Sequence, residues 1–69
     1  MRRNYQHLST EALNEEKDNL LRYISEQEEE LLKTQSKLLC LLLSYYIKTA
    51  KEKIHMIDAE LCYRKHHNQ

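Results

Sequence analysis

The segment Leu31-Leu32-Lys33-Thr34-Gln35-Ser36-Lys37-Leu38-Leu39-Cys40-Leu41-Leu42-Leu43-Ser44-Tyr45-Tyr46-Ile47 decides how this chain folds. From Leu38 to Ile47 it is apolar apart from Ser44. Ten consecutive helical residues point in every direction, so this stretch needs enclosure on all sides, and a single neighbouring helix supplies only one. Ahead of it, Thr34-Gln35-Ser36 is a short polar interval, and Ser36 is placed to cap a new helix. The fold depends on whether the chain reverses at that interval or runs straight through it.

The patterns on either side favour reversal. Upstream, Leu13, Leu20, Ile24 and Leu31 fall on one helical face, and Leu38, Leu42 and Tyr45 continue its phase. Downstream, Leu43, Ile47, Ala50, Ile54, Ile57 and Leu61 recur at four-three spacing on a different face. Two separate helices, each with its own buried side, produce such a change of phase. At the start, Ser9 is a good N-cap, Leu8 and Leu13 have the spacing of a hydrophobic staple, and Glu11 suits the positive end of the helix dipole. Ser25 and Glu28 also match a capping box, but the stripe from Ile24 to Leu31 runs on through them, which puts Ser25 in mid-helix.

The predicted architecture is therefore all-α: an antiparallel hairpin of helices at about 9–33 and 37–65, assembling as a four-helix bundle or coiled coil. It forms a single helical domain over residues 1–69, with 1–7 and 66–69 expected to fray. Folding about residues 34 and 35 sets Glu16, Lys17 and Asp18 opposite Lys53, Glu52 and Lys51. The same fold brings Leu31 to Leu38, Leu13 to Met56 and Leu8 to Leu61. The alternative is one continuous helix of about 57 residues, roughly 85 Å long, in an antiparallel dimer. Its argument is that no glycine marks a turn.

Composition narrows the function. The 69 residues include no glycine, proline, tryptophan or phenylalanine, and 11 basic side chains balance 11 acidic ones. Without glycine there is no phosphate-cradling loop and no dinucleotide-binding turn. No nucleophile stands at motif spacing from a base and an orienting acid, and two helices offer no deep pocket, so an enzyme is not expected. No cofactor or small-molecule substrate is expected either. His55, Asp58, Cys62 and His66 share a helix face, but His55 and His66 lie about 16 Å apart along the axis, so the four donors cannot converge on one ion. No metal site is assigned.

What remains is protein binding. A hairpin this small buries one stripe per helix, which leaves much of its apolar surface unenclosed and points to self-association or to folding on a partner. The expected interface comprises Leu31, Leu38, Leu39, Leu41, Leu42, Leu43, Tyr45, Tyr46, Ile47, Ile54, Ile57 and Leu61. All five aromatic residues are tyrosines, and Tyr45 and Tyr46 adjoin the leucines as candidate hot spots, since a tyrosine buries a large ring while its hydroxyl stays wet. The expected role is a non-enzymatic structural or adaptor subunit, paired with itself as a homodimer or higher oligomer, with a larger protein, or with both. The alternative is a small regulator or inhibitor that occupies a groove or basic surface of a larger protein, a use for which the acidic first half of the chain, Glu11 to Glu30, offers nucleic-acid mimicry. Nucleic acid itself is not an expected partner at zero net charge.

The location expected is intracellular and cytoplasmic, with the nucleus also open. Basic Arg2 and Arg3 are followed by no apolar signal-peptide core. The leucine block spans only about 15 Å of a hydrocarbon layer about 30 Å thick, so no transmembrane segment is expected. Cys40 and Cys62, 22 positions apart in one helix, cannot bridge within the chain and are read as reduced thiols.

Overall fold

In the computed structural model, which describes residues 5–67, the chain reverses where the polar interval lies. Helix α1 runs Thr10–Lys33 and helix α2 Lys37–His67, packed against each other as an antiparallel hairpin. The first helix starts as its sequence dictates. Extended Ser9 (φ −69°, ψ 162°) turns its hydroxyl oxygen toward the chain ahead and accepts a hydrogen bond of 3.0 Å from the Ala12 amide. That bond satisfies one of the amides left without a partner at a helix start. Ser25 sits within α1, as its flanking stripe requires.

The reversal needs no glycine because it needs no left-handed residue. Thr34 is extended (φ −83°, ψ 144°), and its amide closes the last turn of α1 by donating to the Glu30 carbonyl at 3.0 Å. Two residues later Ser36 opens α2: its hydroxyl accepts from the Leu39 amide at 3.3 Å and its carbonyl from the Cys40 amide at 2.9 Å. No described residue has a positive φ. The continuous helix is thereby set aside, and the change of hydrophobic phase finds its cause.

Each helix turns its own stripe inward. Leu13 and Ile24 are buried on α1, with Leu20 and Leu31 partly buried beside them; on α2 the buried set is Leu43, Ile47, Ala50 and Ile57, with Ile54 packed alongside. Leu38, Leu42 and Tyr45, which continue the α1 phase, lie beyond the reversal and stay outside.

The register differs from the one expected. Lys17 Nζ lies 2.6 Å from the Asp58 carboxylate, six residues beyond the Glu52 first set opposite it, and Arg64 reaches Thr10 at 3.3 Å. Leu13 is buried as deeply as Ile57, whereas Met56, its expected neighbour, is exposed. The cause is the extended backbone at Thr34, which carries the chain past the end of α1 before α2 begins. Lys33 thus comes level with about residue 41, and roughly one turn of α2 projects beyond α1. Leu38 in that projecting turn is 72% exposed, and Leu41, level with the end of α1, 70%.

At the other end α2 continues to His67, two residues past the expected boundary, and residues 5–7 form a turn with the Leu8 amide donating to the Tyr5 carbonyl at 3.2 Å. The remaining residues expected to fray, 1–4 and 68–69, lie outside the described residues. Among the described residues no helix is long and apolar enough to cross a membrane.

Candidate interaction surface

The hairpin divides the twelve expected interface residues in two. Leu43, Ile47 and Ile57 are buried within the chain and Leu31, Ile54 and Leu61 half-buried, so the hairpin already draws these six toward the packing between its helices. The other six, Leu38, Leu39, Leu41, Leu42, Tyr45 and Tyr46, remain exposed. The division falls between adjacent residues: Leu43 is 6% exposed and Leu42 43%. One helical step of about 100° separates them, which is enough to move a side chain from the core to the open flank.

Tyr45 and Tyr46 of that flank border a groove beside the helix–helix seam, which the four leucines do not line. Leu20 and Ala50 form its floor, Asn19 and Tyr23 line the α1 side, and Tyr45, Tyr46, Thr49 and Lys53 the α2 side. The Tyr45 and Tyr46 rings lie 6.2 Å apart at 59°, within the tilted geometry that aromatic pairs favour. Thr49 returns its hydroxyl to the Tyr45 carbonyl at 2.9 Å and so leaves its methyl as the outward group. Three tyrosine rings around an apolar floor offer large contact area with few rotatable bonds, the composition found at the centre of protein interfaces.

A polar cluster closes the far end of the hairpin. Arg64 Nε donates to Glu60 at 2.8 Å; its terminal nitrogens donate to the Tyr5 and Gln6 carbonyls and to Thr10 Oγ1, each at 3.3 Å, and to the Leu8 carbonyl. Glu60 is buried under this arrangement. The planar guanidinium, with five N–H donors, ties the segment before α1 across the end of α2. The signal available in the sequence was the i, i+4 spacing of Glu60 and Arg64 and the place of Glu60 one turn after Ile57 on the inner side. The ordering role of this cluster is structural, and it seals the end of the hairpin opposite the projecting leucines.

The donors considered for a metal do not gather. Cys62 Sγ and His66 Nδ1 are 3.7 Å apart, but the same nitrogen lies 2.9 Å from the Cys62 carbonyl, to which it can donate only when protonated. Tyr63 stacks on His67, with ring centroids 4.1 Å apart. Among the described residues no three His, Cys, Asp or Glu side chains form a group that could hold an ion. Compared with protein-family models, curated proteins and solved structures, the chain has no match in any of the three.

Proposed function

We propose that this chain is a small non-enzymatic helical module for protein binding, a structural or adaptor subunit that docks through the outward face of Leu38 to Tyr46. One observation carries the reading: the leucine block is apolar all round, and the hairpin encloses only one of its sides. Leu38, Leu39, Leu41, Leu42, Tyr45 and Tyr46, spaced one, three and four positions apart along α2, stay exposed. Soluble monomers rarely expose contiguous apolar surface of more than a few hundred Å², and larger patches mark binding sites. The non-enzymatic part rests on the glycine-free sequence and on the lack of a nucleophile set against a base at motif spacing. An intracellular location goes with it, since Cys40 and Cys62 sit in one helix about 33 Å apart and are free thiols.

Photo-crosslinking in the source cell tests this. A photoreactive residue in place of Tyr45 is expected to give discrete protein adducts that Leu42→Asp abolishes, while the same residue in place of exposed Lys51 gives none. Absence of adducts at Tyr45, or equal yield at Lys51, contradicts the reading.

A further inference from the structure

We propose that the occupant of this face is a second copy of the chain, in a four-helix bundle whose two-fold axis runs along the helices. The proposal rests on the docking-surface reading above and names its partner.

Area is the first argument. The chain exposes 5737 Å², whereas a compact monomer of 8.4 kDa is expected to expose about 4,600 Å². The excess, about 1,100 Å², is more than the roughly 800 Å² that each partner removes from water in a stable complex of standard size. A second hairpin laid on the tyrosine groove matches that need with no other component.

Charge then selects the arrangement. Helix α1 carries eight acids and three bases, a net −5, and α2 six bases and three acids, a net +3 with histidines neutral. In a four-helix bundle each helix has two lateral neighbours. A two-fold axis along the helices places each α1 between its own α2 and the α2 of the other copy, so every lateral contact is antiparallel and joins opposite net charges. An axis across the helices sets α1 on α1, bringing two acidic helices together, a like-charge arrangement that disfavours assembly.

The projecting turn gives an independent reason. With the axis along the helices, both projecting first turns of α2 lie at the same end of the bundle, where Leu38 and Leu39 of the two copies come together past the ends of the α1 helices. With the axis across the helices they lie at opposite ends and stay open to water. The geometry therefore assigns the overhanging leucines as the lid of a shared core, and Tyr23, Tyr45 and Tyr46 as its wall.

Sedimentation equilibrium of the full chain and a spin-label distance test this together. The expected mass is twice 8.4 kDa. Leu42→Asp and Tyr45→Asp, both at positions exposed in the hairpin, are each expected to return the single-chain mass with the helical circular dichroism kept. Nitroxides attached through Gln35→Cys, with Cys40→Ser and Cys62→Ser, are expected within about 25 Å of each other. An axis across the helices separates them by about the length of α2, roughly 46 Å. A single-chain mass up to about 100 μM, a dimer untouched by both aspartate variants, or the long distance overturns the proposal. A monomer that still gives Tyr45 photo-adducts with other proteins removes the second copy alone; a monomer without adducts removes the docking surface as well.

Discussion

Leu42 and Leu43 are neighbours in sequence and opposites in environment. Leu43→Ala removes a buried side chain and leaves a cavity between the helices, with an expected loss of about 2–5 kcal/mol by urea unfolding. Leu32→Ala, at one of the most exposed positions of the hairpin, is expected to stay within about 0.5 kcal/mol of the parent. At the far end, Arg64→Ala strips the buried Glu60 carboxylate of its guanidinium and the segment before α1 of its tie. The expected cost is about 3 kcal/mol, together with faster amide exchange from Gln6 to Thr10. Arg64→Lys restores little, because an ammonium cannot span the fork of carbonyls that a guanidinium bridges. Unchanged exchange in Arg64→Ala contradicts the assignment of this residue as the tie.

Each helix is legible in its own stripe, and the caps at Ser9 and Ser36 are legible in residue type alone, because a hydroxyl that accepts from a helix-start amide is a local event. Ser36→Ala is accordingly expected to lower stability by about 1 kcal/mol, measured by thermal unfolding. The register between the helices was not legible. It depends on how far the extended Thr34 carries the chain before α2 starts, and neither charge pairing nor hydrophobic spacing encodes that distance: Lys17 finds Asp58 as readily as Glu52. Which of the expected interface residues the hairpin itself encloses was not legible either, for a related reason. Leu38 to Ile47 is apolar in every direction, so the sequence shows that it needs several neighbours without showing which side the first neighbour takes. Once α1 is placed, the sides separate, with Leu43 and Ile47 inside and Leu42, Tyr45 and Tyr46 outside. The tie that Arg64 makes to the segment before α1 escaped because three of its five acceptors are backbone carbonyls, which leave no mark in side-chain patterns.

At the scale of the whole molecule, the hairpin is an elongated object, 50 × 23 × 16 Å, with too much surface for its mass and a sealed end opposite an open one. Its helices carry opposite net charges, and its tyrosine groove lies along the seam between them. In the proposed assembly α2 has two working faces, the inner one closed by α1 of the same chain and the outer one by another molecule of it. Isotope-filtered NOE spectroscopy on an equal mixture of ¹³C-labelled and unlabelled chains tests it most directly. Intermolecular contacts are expected from Leu38, Leu42, Tyr45, Tyr46 and Tyr23, with the contacts of Leu13 and Ile57 confined to one chain. Intermolecular contacts from Leu13 and Ile57, as two long helices or exchanged hairpins would give, contradict it, and so does a spectrum with no intermolecular contact from the tyrosine face.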